Sequence, residues 1–168
     1  EESSRYIIGI DLGTTNSSVA YVDRDREKNP SLGIQLFHIP QISSRGVIEN
    51  LSALPSFCYL AGGGEFATGA LDLPWENGCS SVVGAFAKEQ GEAVPRQLVQ
   101  SAKSWLCNVA ANRKERILPV DHPDPKKRVS PLEATSNYLR HIKEAWNHAV
   151  AGGDPALEFE QQEVLLTV

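Results

Sequence analysis

Ile7-Ile8-Gly9-Ile10-Asp11-Leu12-Gly13-Thr14-Thr15-Asn16-Ser17-Ser18 is the stretch on which the fold turns. An apolar, β-branched run ends in a carboxylate. A glycine and two hydroxyl residues follow, and then a second β-rich run, Ser18-Val19-Ala20-Tyr21-Val22. The pattern predicts two strands joined by a tight turn. Such a turn is ordinary punctuation in one reading and a phosphate cradle in another. Gly13 lets the backbone approach a ligand closely, successive backbone N–H groups can converge on an anion, and Thr14 and Thr15 add hydroxyl donors. Asp11 would repel a phosphate, so its useful role is to hold Mg²⁺ beside one, directly or through water.

Working outward, 168 residues suffice for a real core, in one domain or two small lobes. An apolar share of 41% with 22% charged residues marks a globular chain. A net charge of −5 argues against a general binder of nucleic acid or anionic membrane. No apolar run approaches membrane-spanning length. Cys58, Cys79 and Cys107 are odd in number and widely spaced, with neither a metal-ligand pattern nor a disulfide framework, which fits a reducing, cytoplasmic compartment.

The remaining elements follow from local pattern. Residues 6–11 and 17–23 make the first hairpin, residues 23–30 a polar turn, and 33–39 a third strand by alternation. Residues 40–55 read as loop. Phe57–Leu60 and Glu65–Thr68 read as a hairpin around Gly62-Gly63-Gly64, and 71–81 as an inserted loop. Leu98, Ala102, Trp105 and Leu106 lie at helical spacing, with Lys103 beside that apolar face. A lysine so placed is ordinarily a stem lying along the surface. Ser130-Pro131-Leu132-Glu133 opens a long helix with an N-cap, a proline at the first position and a capping-box glutamate. Its apolar stripe is Leu132, Tyr138, Leu139, Ile142, Ala145, Trp146, Ala149 and Val150, and Gly152-Gly153 ends it. His141 and His148 fall beside the stripe without a third ligand. Glu163–Val168 reads as a buried strand. Since an uncapped apolar strand invites pairing with another chain, the sequence is expected to be cut from a longer protein.

Ile-Asp-Leu-Gly-Thr-Thr-Asn-Ser at 10–17 closely resembles the first phosphate loop of the DnaK-type heat-shock chaperones, members of the actin-like ATPase superfamily. Val82–Gln90 resembles the family's strand, glycine and short helix. Ser101-Ala102-Lys103-Ser104-Trp105-Leu106 resembles the family helix whose lysine faces the γ-phosphate. Nineteen positions separate Gly84 from Lys103, close to the family's spacing. The resemblance is tight at 6–18, moderate at 82–107 and loose elsewhere. It departs at Ser17, where many members carry cysteine, a position taken as packing.

The resemblance implies an α/β fold: a ribonuclease-H-like first lobe with a mixed sheet, plus a smaller α+β subdomain. Residues 1–52 would form the first sheet, 53–129 the smaller subdomain, and 130–168 the long helix and returning strand. It implies Mg²⁺ and ATP as cofactors, with Gly13, Thr14, Thr15 and Asn16 holding phosphates and Asp11 organising the metal and water. Lys103 would stabilise charge in phosphoryl transfer to water. Expected partners in the complete protein are ATP and ADP, unfolded client proteins and co-chaperones. The stretch alone is expected to bind ATP weakly or not at all, and its terminal strand to pair between chains. Two other classes stay open: another actin-like ATPase, such as a sugar kinase or filament protein, and a non-catalytic relative that senses nucleotide.

Overall fold

The computed structural model describes residues 4–29 and 31–168, so Pro30, at the end of the polar turn, lies outside the described residues. The strands are β1 (Tyr6–Leu12), β2 (Asn16–Asp23), β3 (Gln35–Leu36), β4 (Ile39–Ser44), β5 (Val47–Leu51), β6 (Leu54–Pro55), β7 (Cys58–Leu60), β8 (Ser81–Val83), β9 (Leu98–Val99) and β10 (Glu163–Thr167). The α-helices are α1 (Ala85–Ala93), α2 (Ala102–Cys107) and α3 (Pro131–Trp146). The architecture is mixed α/β.

Strict alternation builds β1. Tyr6, Ile8, Ile10 and Leu12 point into the core, while Ile7, Gly9 and Asp11 take the other face. β1 pairs antiparallel with β2, from Tyr6 opposite Asp23 to Leu12 opposite Ser17. β2 continues antiparallel to β3 and, at its start, to β6. β10 returns parallel to β1, setting Thr167 beside Asp11. The main sheet therefore runs β10-β1-β2-β3 and is mixed, while β4-β5 and β8-β7-β9 form two smaller sheets.

α3 covers the main sheet. Its capping box is complete: Glu133 N–H donates to Ser130 Oγ at 3.0 Å and Ser130 N–H to Glu133 Oε2 at 2.7 Å, an arrangement that contributes about 1 kcal/mol. Tyr138, Ile142, Ala145 and Trp146 pack on Ile8, Ile10, Leu12 and Val19. Trp146 is fully buried among the rings of Tyr6, Tyr21 and Phe37, all edge-on at 5.2–5.4 Å. A second core of Ile42, Tyr59, Leu71, Val82, Phe86 and Ala87 lies under the smaller sheets.

Several expectations change. Residues 40–55 form the β4-β5 hairpin and β6, where a loop was expected. All of Ile39–Ile42 is buried, so both faces are covered and the alternation that marks a strand is absent. The third strand shrinks to Gln35–Leu36. Residues 65–68 form no strand; β7 pairs with β8 and β9 instead, and Glu65 turns inward to accept from Gly62 N–H, Tyr59 and Gln97. Leu98 belongs to β9, because Ser101 adopts a left-handed conformation (φ 56°) and starts the helix only at Ala102. Leu132 and Ala149 are exposed, and the inward face of α3 includes Ala134, Thr135 and His141 instead. The strand at 163–167 is not buried: all five residues are exposed on the sheet edge.

Candidate functional site

The turn after β1 has a specific shape. A Cβ placed on Gly13 would stand 2.1 Å from the Asn16 carbonyl oxygen, so only glycine fits the crossing. Asp11, Thr14, Thr15 and Asn16 are exposed around it. Outside the strand ladder and among the described residues, the backbone N–H groups of Thr14 and Thr15 have no acceptor in the protein. The bend therefore presents unsatisfied donors to solvent on the same rim as a carboxylate.

Two of the turn's carbonyls, by contrast, are tied inward. Ser56, just beyond β6, donates its N–H to Thr15 O at 2.9 Å and its hydroxyl to Gly13 O at 2.9 Å. Ser56 Oγ also lies 3.0 Å from Ser17 Oγ. A hydroxyl carries one proton, and that of Ser56 goes to Gly13, so Ser17 is the donor between the two serines. Both are buried, at 2% and 0% exposure. Ser17 thus hydrogen-bonds across the turn, where packing alone was expected.

Asp11 sits at the solvent end of β1. The Thr167 hydroxyl on β10 lies 3.3 Å from its Oδ1. Among the described residues, no group of three or more His, Cys, Asp or Glu side chains could hold a metal by itself. One carboxylate beside free donors suits Mg²⁺ arriving with a phosphate chain, since that ion keeps much of its water shell and takes few protein ligands.

Lys103 is the second residue of α2 and is half-buried. The preceding Ala102 packs in the same core as Leu12 and Leu54, so one hydrophobic cluster carries both α2 and the end of β1. Among the described residues no carboxylate pairs with Lys103, and no hydrogen bond joins it to the turn. The turn and Asp11 form one site; Lys103 stands on a separate element.

Elsewhere among the described residues, a cleft of about 600 Å³ is walled by Gly62–Gly64, Phe66, Cys79 and Lys127; neither it nor two smaller clefts are lined by Asp11, the turn or Lys103. His141 is no metal ligand: its Nε2 hydrogen-bonds the Pro40 carbonyl at 2.8 Å and its ring meets Trp75 edge-on. No helix among the described residues is long and apolar enough to cross a membrane.

Sequence reasoning singled out Asp11, Gly13, Thr14, Thr15 and Asn16 but assigned no role to Ser56 or Thr167. Both act across long separations, 43 and 156 residues, and no local pattern announces such pairs. No protein-family model matches the chain, and no curated protein matches it.

Proposed function

We propose that this chain supplies one wall of a nucleotide site in a DnaK-like ATPase of the actin-like superfamily. The Gly13–Asn16 bend would hold phosphates and Asp11 the magnesium shell. Lys103 would face the γ-phosphate from α2 and stabilise charge as it passes to water. The observation that carries the reading is the rim itself: outward donors, inward-tied carbonyls and one exposed carboxylate. The mixed sheet supports it too. Three antiparallel strands, followed by a parallel one reached over a helix, suit the opening of a ribonuclease-H-like lobe. Three free cysteines suit a reducing, cytoplasmic setting. In the complete protein, hydrolysis would drive capture and release of unfolded clients, with co-chaperones setting the pace.

ATP turnover by the complete protein carrying Lys103→Ala tests this. Loss of about 100-fold in turnover, with Mg-ATP affinity nearly unchanged, is the expected outcome. Unchanged turnover would remove Lys103 from the chemistry and favour a nucleotide sensor.

A further inference from the structure

We propose that Ser56, with Ser17 behind it, is the positioning residue that orients the Gly13–Asn16 bend for an anion; this rests on the phosphate reading above. A carbonyl aimed at a phosphate repels it, so a backbone cradle works only if its oxygens are turned away. Ser56 captures two of them, Gly13 O through its hydroxyl and Thr15 O through its N–H, each at 2.9 Å. A trans peptide unit is planar and its C=O and N–H point in opposite directions. Holding Gly13 O and Thr15 O toward Ser56 therefore aims the next two N–H groups, those of Thr14 and Asn16, away from it. Ser17 completes the device by donating to Ser56 Oγ at 3.0 Å, which leaves the Ser56 proton committed to Gly13. Both hydroxyls are shielded from water, so no solvent molecule competes for the bond. The brace comes from β6, on the opposite edge of β2 from β1, and so ties the bend to the segment leading into the smaller sheets.

The test uses the ¹⁵N-labelled chain titrated with inorganic tripolyphosphate and Mg²⁺, following the Thr14 and Asn16 amide signals. The wild type is expected to show weak but saturable shifts at both. Ser56→Ala is expected to weaken binding about tenfold, while signals from β1 and α3 keep their positions. Ser56→Thr, which keeps the hydroxyl, is expected to stay within about threefold of wild type. Wild-type shifts that Ser56→Ala leaves intact would overturn the brace and spare the phosphate reading. Absence of shifts in the wild type would overturn both. Should Ser56→Ala fail to fold, Ser17→Ala removes only the rear donor. A loss of about threefold is then expected, and wild-type affinity would overturn the role.

Discussion

The Thr167 hydroxyl lies 3.3 Å from Asp11 Oδ1 and 3.3 Å from the Ile10 carbonyl oxygen, across the parallel pairing of β10 with β1. With one proton it serves one acceptor at a time, and both contacts are long. Thr167 therefore orients the Asp11 carboxylate and leaves its charge available. Asp11→Asn keeps the shape and the acceptor while removing that charge. Tripolyphosphate is expected to bind the wild type about tenfold more tightly with Mg²⁺ than without, and the variant equally in both. A magnesium enhancement that survives in the variant would take the metal role away from Asp11.

Gly84 is a structural glycine in the junction between β8 and α1. Its φ is 96°, and an added Cβ would meet Gln41 Oε1 at 2.5 Å and Leu54 Cδ1 at 2.7 Å. Gln41 cannot yield easily, since it is fully buried with its Oε1 accepting from Ala85 N–H and its Nε2 donating to Ala53 O. Gly84→Ala is expected to cost about 3 kcal/mol by urea denaturation, from strain plus overpacking. A cost under about 1 kcal/mol would mean that the junction relaxes freely.

His141 gives the fold an acid-sensitive point. Burial pulls its pKa from 6.5 down to about 4, against the opposing pull of the Pro40 carbonyl it hydrogen-bonds. The unfolded chain takes up the proton first, so stability is full above pH 6.5, falls as the pH drops toward 4, and levels off below. The 2.5-unit difference between those values amounts to about 3 kcal/mol. The carboxylates of Asp23 and Glu133, whose pKa values are lowered by Arg5 and by the Ser130 N–H respectively, lose their contribution only at lower pH. Denaturation curves between pH 6.5 and 5 therefore isolate the histidine. His141→Gln, which can still donate to Pro40, should flatten that window; an unchanged slope would assign it elsewhere.

The three thiols should react in a fixed order. Cys107 is exposed, Cys79 half-buried and Cys58 wholly buried. Burial pushes the Cys58 thiol up to about 12 and raises that of Cys79. Since the thiolate is the nucleophile, an aromatic disulfide reagent at neutral pH is expected to titrate Cys107 at once, Cys79 slowly and Cys58 only in denaturant. Prompt reaction of Cys58 would show that the core under β7 opens readily.

Legibility from sequence followed the range of the interactions. The hairpin of β1 and β2, its turn residues and the capped start of α3 were readable because period-two alternation and a capping box are local, one-face signals. The β4-β5 hairpin was missed because residues buried on two faces do not alternate. The expected hairpin at 57–68 failed because Glu65 spends its side chain on Tyr59, Gln97 and Gly62, and β7 finds better partners far along the chain. Pairing between distant strands depends on which surfaces meet, and a short window does not contain that information.

Residues 7–18 by themselves determined a strand ending in a carboxylate and a glycine turn rich in donors, since the order of β-branched, acidic, glycine and hydroxyl residues fixes local backbone shape. Only the tertiary structure decided which way that turn faces. Ser56, just beyond β6, and Thr167, on β10, reach it from far along the chain, and their hydrogen bonds orient two carbonyls and the Asp11 carboxylate.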